Sequence, residues 1–218
     1  MKLYFTRHGK TQWNQEKKFQ GMMGDSPLLA ESFQAIETLG ELLKDVPFEK
    51  VYSSSSRRAY LTAEGIKNRL VHPVEIVRTD DLRELGLGSL EGQSITLMHE
   101  QYGANMDNLR HRLDIYDPTP FGGEPVEKML KRTTGLIRQA VSEAEEGPLL
   151  FVGHGASLTA AIQSLIGKPT AELRSMGGLY NNSLTILETA EEGQSYRLLE
   201  WNNIDFLGQL KQLPDAIL

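Results

Sequence analysis

Short apolar runs alternate with longer amphipathic stretches along most of the chain. The runs predict strands at 2–6, 50–52, 74–77, 149–152, 184–187 and 196–199. The stretches with apolar residues three or four positions apart predict helices at 33–43, 57–66, 124–144 and 156–165. Strands that alternate with helices are typical of α/β domains. The pattern therefore predicts an α/β fold, a three-layer α/β/α sandwich with a mostly parallel central sheet.

Local signals describe the less regular parts of the chain. Ser53 to Ser56 offer hydroxyls that can cap the second helix, and Pro125 suits the first turn of the long helix. Residues 82–92 are rich in glycine and predict an irregular segment, whereas residues 93–123 show no readable pattern. We expect an acidic turn between the last two strands and a loosely held tail over the last dozen residues. No repeat or linker is visible, so residues 1–218 are predicted to form one domain.

Composition and charge narrow the classes of function. The net charge of −6 argues against a nucleic-acid partner or an anionic membrane, so a phosphate site has to be a local positive pocket. The chain has no cysteine, which excludes disulfides, thiol catalysis and cysteine metal sites. No apolar run approaches membrane-spanning length, and the first strand leaves no room for a signal peptide before it. We therefore expect a soluble, cytoplasmic protein with no membrane partner.

Two predicted strands each deliver a histidine beside a glycine. The first strand leads into Arg7-His8-Gly9, and the strand at 149–152 leads into Gly153-His154-Gly155. The carboxyl ends of parallel strands are where open α/β sheets bind ligands. Arginine offers a fork of donors that matches phosphate, and a neutral histidine can act as a nucleophile. One such tripeptide alone more often holds a satisfied histidine and a surface arginine, but two copies predict a shared site.

Three groups of residues carry a family resemblance. The first group is Arg7, His8, Gly9, Thr11 and Asn14, the second is Ser53, Ser54, Arg58, Ala59, Thr62 and Ala63, and the third is Glu84, Gly88, Glu91 and Gly92. They resemble the motifs of the histidine phosphatase superfamily, also called the phosphoglycerate mutase-like family, and the resemblance runs from about Lys2 to about Ser183. Ser55 and Ser56 depart from it, since many members have Asp or Pro and then Leu there. Without the resemblance, Arg58 reads as a solvated helix charge, and Glu84 as an exposed loop acid or a partner of Arg83.

The resemblance implies a role for each motif residue. His8 would accept the phosphoryl group, and Glu84 would protonate the leaving group and then activate water. The phosphate would be held by Arg7, Arg58, Asn14 and a protonated His154, with help from amides near Gly155. Substrate choice is expected to involve Gln20, Gly21, Lys10 and an insertion at about 93–123 that lies over the catalytic edge. His72, His99 and His111 match no motif and are expected to be surface or packing residues.

The arrangement of Asp and Glu residues along the sequence predicts a reaction that needs no metal. No carboxylate cluster with metal-ligand spacing accompanies the histidines, so we expect neither a metal nor another cofactor. Arginine and histidine would supply the positive charge that phosphoryl transfer requires.

Two branches of the family compete. Cofactor-dependent phosphoglycerate mutases typically show Glu-Arg-His-Tyr-Gly around the acid, whereas this chain has Arg83-Glu84-Leu85-Gly86. It also has Lys10 where mutases usually have Glu. The sequence therefore favours a phosphatase acting on a small phosphorylated metabolite, with the mutase as the alternative and a non-catalytic phosphate-binding protein as a third reading. Neither the substrate nor the oligomeric state follows from the sequence.

Overall fold

The fold is built on one six-stranded sheet. A computed structural model describes residues 1–145, 147–190 and 195–210. In chain order the strands are β1 Lys2–Arg7, β2 Lys50–Ser54, β3 Ile76–Thr79, β4 Leu149–Gly153, β5 Leu184–Ala190 and β6 Ser195–Asn203. Their order across the sheet is β3-β2-β4-β1-β5-β6. The first four strands are parallel to one another, and β5 runs antiparallel to both of its neighbours, β1 and β6. The predicted mostly parallel sheet is confirmed.

Helices cover both faces of the sheet. In chain order they are α1 Gln12–Gln15, α2 Ala30–Leu43, α3 Arg57–Lys67, α4 Ile95–His111, α5 Val126–Glu143 and α6 Gly155–Leu165. Side chains of α2 and α3 pack with Tyr4 and Leu150 on one face, while α5 and α6 pack with Leu3 and Phe5 on the other. Strand side chains alternate between faces, so neighbouring residues of β1 join opposite cores. The three-layer α/β/α sandwich is confirmed.

A third apolar cluster covers the carboxyl end of the parallel strands. We call it the roof cluster, and its buried members are Phe19, Leu85, Leu87, Leu90, Met106, Leu109, Leu113, Tyr116, Phe121, Val126, Met129, Ala156, Ala160 and Leu173. Much of the roof comes from 93–123, where the sequence showed no pattern and the structure has helix α4. That helix buries only Met106 and Leu109 and is kinked at Tyr102, which explains the weak periodic signal.

Several local predictions need correction. Strand β3 begins two residues later than predicted, at Ile76. Ser56 occupies the N-cap position of α3, but its side chain makes no capping hydrogen bond, so the predicted serine cap is wrong. The predicted tail is not loose at its start, because Leu207 is buried within a 3₁₀ turn, Asp205–Leu210. The acidic turn between the late strands falls largely on 191–194, which, like 211–218, lies outside the described residues.

Within the described ranges, no helix combines the length and apolar character that a membrane-spanning segment needs.

Candidate active site

The two predicted histidines meet at one edge of the sheet. Strands β1 and β4 are parallel neighbours in which Arg7 pairs with Gly153, so His8 and His154 follow adjacent strand ends. The backbone N–H of His8 donates to the Gly153 carbonyl at 2.9 Å. The imidazole centroids are 5.2 Å apart, with the ring planes at 62°. The meeting follows from the register of two buried strands, as the sequence indicated.

Hydrogen bonds set the tautomer of His8. Its Nδ1 lies 2.7 Å from the backbone oxygen of Gly9. A carbonyl oxygen can only accept, so Nδ1 carries the proton and Nε2 keeps a lone pair. Nε2 accepts from Nε of Arg58 at 3.2 Å. His8 therefore presents an unprotonated nitrogen beside a guanidinium, which is the arrangement that a histidine nucleophile needs.

The surroundings of His8 also keep the imidazole neutral. Burial lowers the pKa of His8 well below its ordinary value, and the charges of Arg58 and Arg7 lower it further. Only the hydrogen bond with Gly9 acts in the opposite direction. The neutral form therefore persists at mildly acidic pH, where a solvent-exposed histidine would be largely protonated.

Arg58 is held by backbone oxygens from the loop after α1. It is the largest fully buried side chain in the described residues, at 1% exposure. Its Nη1 donates to the Gly24 carbonyl at 2.6 Å and to Oδ1 of Asp25 at 3.2 Å, and Nη2 donates to the Gly21 carbonyl at 3.1 Å. Asp25 also accepts from the backbone N–H groups of Arg57 and Arg58 at 2.6 and 3.3 Å. The Asp25 carboxylate thus takes the capping place that the serines were predicted to fill.

Gln20 and Asn14 reach Arg58 through a short chain of polar contacts. The buried amide of Gln20 satisfies all its neighbours when its oxygen faces Arg58, accepting from Nη1 and Nε at 3.2 Å each. Its nitrogen then donates to the hydroxyls of Thr11 at 2.8 Å and Ser26 at 3.0 Å. Asn14 uses its side-chain oxygen to cap α1, accepting from the backbone and hydroxyl of Thr11 at 3.0 Å each. Direct contact of Gln20, Gly21 or Asn14 with phosphate stays a prediction.

The motif residue Glu91 holds the loop that carries Gly24. Its carboxylate accepts from the backbone N–H groups of Gly24, Met23 at 2.9 Å and Leu87 at 3.2 Å. A Cβ at Gly21 would come within 2.5 Å of the same carboxylate, which explains the glycine there. Glu91 and Gly21 therefore act on the site by shaping the loop around Arg58.

Arg7 and His8 are anchored to the segment that precedes β5. Nη1 of Arg7, which is 5% exposed, donates to the Leu179 carbonyl at 2.9 Å. The side-chain nitrogen of Asn181 donates to the backbone oxygen of His8 at 2.8 Å. The same segment thus fixes two consecutive motif residues. Lys10 instead lines a small cavity with Asn182 and Leu207 beside α2.

His154 is fully buried with one nitrogen engaged. Nε2 lies 2.8 Å from Oγ of Ser54, and Nδ1 is buried with no hydrogen-bond partner among the described residues. Burial lowers the pKa of His154 well below its ordinary value, followed by the charges of Arg58, His8, Arg7 and Arg132. These effects favour a neutral His154 in the protein by itself, and a protonated His154 at a bound phosphate stays a prediction. A doubly charged phosphate would counter those positive charges and favour the protonated form.

Glu84 lies against the first turn of α6, directly after His154. Its Oε1 accepts from the backbone N–H groups of Leu85 and Ser157 at 2.8 Å each, and Oε2 accepts from Ala156 at 2.9 Å. Glu84 is 3% exposed, so the reading as an exposed loop acid is wrong. The alternative partner Arg83 faces Asp80 at 3.6 Å instead. Gly155 begins α6, which places its amide at this same helix start.

An ion pair between Arg132 on α5 and Glu124, just before that helix, fixes the backbone around Glu84. Arg132 donates from Nε and Nη2 to the Glu124 carboxylate at 2.9 and 2.8 Å, and from Nη2 to the Glu84 carbonyl at 2.9 Å. Its Nη1 donates to the carbonyls of Asp81 and Arg83 at 2.8 Å each. Sequence reasoning missed Arg132 and Asp25. The eight-residue spacing of Glu124 and Arg132 within the predicted helix at 124–144 was a usable signal for the first, but no local signal marked the second.

Three histidines outside the motifs behave as expected. His72, His99 and His111 are exposed, and His99 lies 3.0 Å from an Asp107 oxygen on the surface. Over the described ranges, no group of three or more histidine, aspartate or glutamate side chains is arranged to hold a metal ion. Independence from metal stays a prediction.

The sequence and the fold are similar to those of proteins named as phosphatases and as phosphoglycerate mutase-like proteins. The chain matches the sequence profile of the histidine phosphatase superfamily (branch 1) over residues 3–204. Phosphoglycerate mutase-like protein 4 of Arabidopsis thaliana is 28% identical over 205 residues, covering 92% of this chain and 84% of that protein. Bacillus stearothermophilus YhfR has a TM-score of 0.85 at 29% identity, covering 94% of this chain and 98% of that one. Mycobacterial glucosyl-3-phosphoglycerate phosphatase, solved with VO3, has a TM-score of 0.81 at 26% identity, covering 92% and 98%.

These likenesses define a phosphoglycerate mutase-like α/β fold. The chain belongs to the histidine phosphatase superfamily, branch 1. Proteins named as phosphatases and as mutase-like proteins both occur among its relatives, so the family alone does not choose between hydrolysis and isomerisation.

Proposed function

We propose that the protein is a phosphatase that hydrolyses a small phosphomonoester through a phosphohistidine on His8. The observation that carries the proposal is the state of His8. Its Nδ1 proton is committed to Gly9 at 2.7 Å, and its Nε2 lone pair lies beside the buried guanidinium of Arg58. Such an imidazole is oriented and neutral, and positive charge is already in place for the oxygens of a phosphoryl group.

In the first step, Nε2 of His8 gives up its hydrogen bond from Nε of Arg58, which frees its single lone pair. Nε2 then attacks phosphorus and the ester P–O bond breaks. The buried guanidinium groups of Arg58 and Arg7 and the imidazole of His154 hold the phosphoryl oxygens, and Asn14 adds a neutral donor. The leaving oxygen takes a proton from Glu84, which becomes a carboxylate. Oε2 of Glu84 accepts only one backbone N–H bond and Oε1 accepts two, so Oε2 is the oxygen better placed to carry that proton.

In the second step, the Glu84 carboxylate takes a proton from water as the water oxygen attacks phosphorus. The P–N bond breaks, the electron pair returns to Nε2 of His8, and inorganic phosphate leaves. Three backbone N–H groups donate to Glu84 and hold its carboxyl group in place for this step. No metal or other cofactor takes part in this scheme.

A cofactor-dependent phosphoglycerate mutase is the second candidate. The observation that favours it is the likeness to the Arabidopsis thaliana protein named phosphoglycerate mutase-like. A mutase must keep water from the phosphohistidine and return the group to an acid. Against it stands the segment around Glu84, where Leu85-Gly86 replaces the His-Tyr-Gly typical of mutases.

One experiment separates the two candidates. The protein is offered 3-phosphoglycerate with a bisphosphoglycerate primer, and inorganic phosphate release is measured beside isomer interconversion. We expect phosphate release to be the faster reaction. Isomerisation that greatly outpaces phosphate release would replace the phosphatase proposal with the mutase. A panel of sugar phosphates, nucleotides and phosphoamino acids then defines the preferred alcohol.

A further inference from the structure

Arg174 is a buried arginine that no motif explains. It follows a 3₁₀ turn, Thr170–Glu172, and its neighbour Leu173 belongs to the roof cluster. The residue is 6% exposed. Its Nε donates to the backbone oxygen of Arg110 at 3.2 Å, at the end of α4, while its Nη1 is buried with no hydrogen-bond partner among the described residues. No carboxylate in the described part of the chain forms an ion pair with it.

Two other arginines of this protein, Arg58 and Arg132, each pair with a carboxylate and with backbone carbonyls. Arg58 has the Asp25 carboxylate and the carbonyls of Gly21 and Gly24. Arg132 has the Glu124 carboxylate at 2.8 Å and three backbone carbonyls. A buried charge without a counter-charge destabilises a fold. Packing therefore does not account for Arg174, which leaves a ligand as the source of its missing partner.

The packing around Arg174 places it beside the catalytic edge. Burial lowers the pKa of Arg174 to about 10, Glu84 acts against that lowering, and Arg7 and Arg110 add to it. The guanidinium thus stays protonated at neutral pH. Leu173, the residue before Arg174, packs in the roof cluster with Leu85 and Ala156, and the backbone N–H groups of those two residues hold the Glu84 carboxylate. Arg174 therefore lies on the roof side of the site, near the group that is expected to meet the leaving alcohol.

We propose that Arg174 binds a second anionic group, a carboxylate or a further phosphate, on the alcohol portion of the substrate. This inference rests on the proposed function, because it takes the group at His8 to be the phosphoryl that is transferred. A planar guanidinium with a free nitrogen matches either anion. The preferred substrate class is then a phosphorylated hydroxy acid or a diol bisphosphate, and neutral sugar phosphates are poor substrates.

Binding to an inert protein tests this inference separately from turnover. In a His8→Ala background, calorimetry compares 3-phosphoglycerate with glycerol 3-phosphate, which replaces the carboxylate with a hydroxymethyl group. A second pair, propane-1,3-diol bisphosphate and 3-hydroxypropyl phosphate, tests a phosphate as the second anion. We expect at least one charged ligand to bind about tenfold or more tightly than its neutral match. The pair that shows the preference identifies the anion.

Variants of Arg174 then locate that preference. Arg174→Met should reduce the preference to within about twofold of one, and Arg174→Lys should keep part of it. Arg112→Met is the control, because it removes an exposed arginine from the same region and should leave the preference unchanged. Since the buried charge of Arg174 has no carboxylate partner among the described residues, Arg174→Met should have a thermal midpoint no lower than that of the parent protein.

Several outcomes would overturn the inference. They are the absence of binding, equal binding of each matched pair, a preference that survives in Arg174→Met, or an equal loss for charged and neutral ligands. A large fall in thermal midpoint for both Arg174→Met and Arg174→Lys would assign Arg174 a structural role instead. A clear binding preference for the charged ligand of a pair, combined with no turnover of any of these ligands by the wild type, would count against the proposed phosphatase. The same result would support the anion site.

Discussion

Nε of Arg58 donates to Nε2 of His8 at 3.2 Å, so the nitrogen with the lone pair lies against a guanidinium. The other nitrogen of His8 is tied to Gly9, so the ring has one orientation and one tautomer. Both contacts come from sequence neighbours of the strand ends, since Arg58 lies in the first turn of α3 and Gly9 follows β1. Positioning of the nucleophile and positive charge for the phosphoryl group thus depend on the same residue.

The Asp25 carboxylate is predicted to matter through Arg58. Asp25→Asn removes the charge that faces Nη1 of Arg58 at 3.2 Å and weakens the cap of α3. We expect kcat/KM for p-nitrophenyl phosphate and the affinity for vanadate to fall about tenfold, since hydrogen bonds to charged groups contribute about 1.5–3 kcal/mol. Asp45→Asn, at an exposed position, is the control. Unchanged vanadate affinity in Asp25→Asn would show that Arg58 is held without it.

The two buried histidines predict a loss of stability in mild acid. The folded protein holds the pKa values of His8 and His154 well below the ordinary value of 6.5 that applies after unfolding. Below pH 6.5 the unfolded chain therefore binds protons that the folded protein does not, so the free energy of unfolding falls as the pH falls. The slope should approach about 1.4 kcal/mol per pH unit for each histidine.

Urea titrations between about pH 7 and pH 5 measure this slope. His154→Gln should reduce it by about one histidine's share, whereas His72→Gln, at an exposed residue, should not change it. A slope that is the same in all three proteins would contradict the assignment of buried neutral imidazoles.

Glu84 is predicted to act as the acid in the first step. Glu84→Gln should slow phosphoenzyme formation from an alkyl phosphate by about 10²-fold or more, because an alkoxide needs a proton to leave. The same variant should slow p-nitrophenyl phosphate much less, since that phenolate leaves unprotonated. Rapid quench of the first turnover measures both. Glu127→Gln, an exposed acid on α5, provides the control. Equal slowing for both esters would remove the acid role, because a general disturbance of the α6 start affects both alike.

Activity is predicted to be independent of divalent metal. The charges facing His8 come from Arg7 and Arg58, and Glu84 is engaged by backbone N–H groups. Dialysis against a chelator should leave kcat/KM unchanged, and vanadate, which mimics five-coordinate phosphorus, should inhibit competitively. Activity that is lost with chelator and restored by magnesium would require a different source of charge.

Much of the fold was predictable because its strands are short, buried and apolar. The ends of β1 and β4 also predicted that His8 and His154 would meet, since adjacent parallel strands end at one edge. Helix α4 was not predictable, because it buries few residues and bends at Tyr102. The role of Gly88 was visible only in the fold, where it has φ +57° and a Cβ would clash with the Phe121 carbonyl oxygen.

The supports of the site depend on contacts between distant parts of the chain. Asp25 and Arg58 are separated by 33 residues, and Glu84 and Ala156 by 72, so no local pattern could indicate that they touch. The charge state of His154 in the protein by itself was not predictable for a related reason. Its pKa depends on how many positive charges surround a fully buried ring, which residue types alone do not reveal.

The most direct test is to trap the phosphorylated protein. Wild-type protein is mixed with ³²P-labelled substrate, quenched in alkali after the first turnover, and digested for mass spectrometry. We expect phosphate on Nε2 of His8, formed at least as fast as inorganic phosphate appears. The label and the turnover should both be absent in His8→Ala and retained in His72→Ala. Phosphate release by His8→Ala at a rate near that of the wild type, or label on a residue other than His8, would contradict the account.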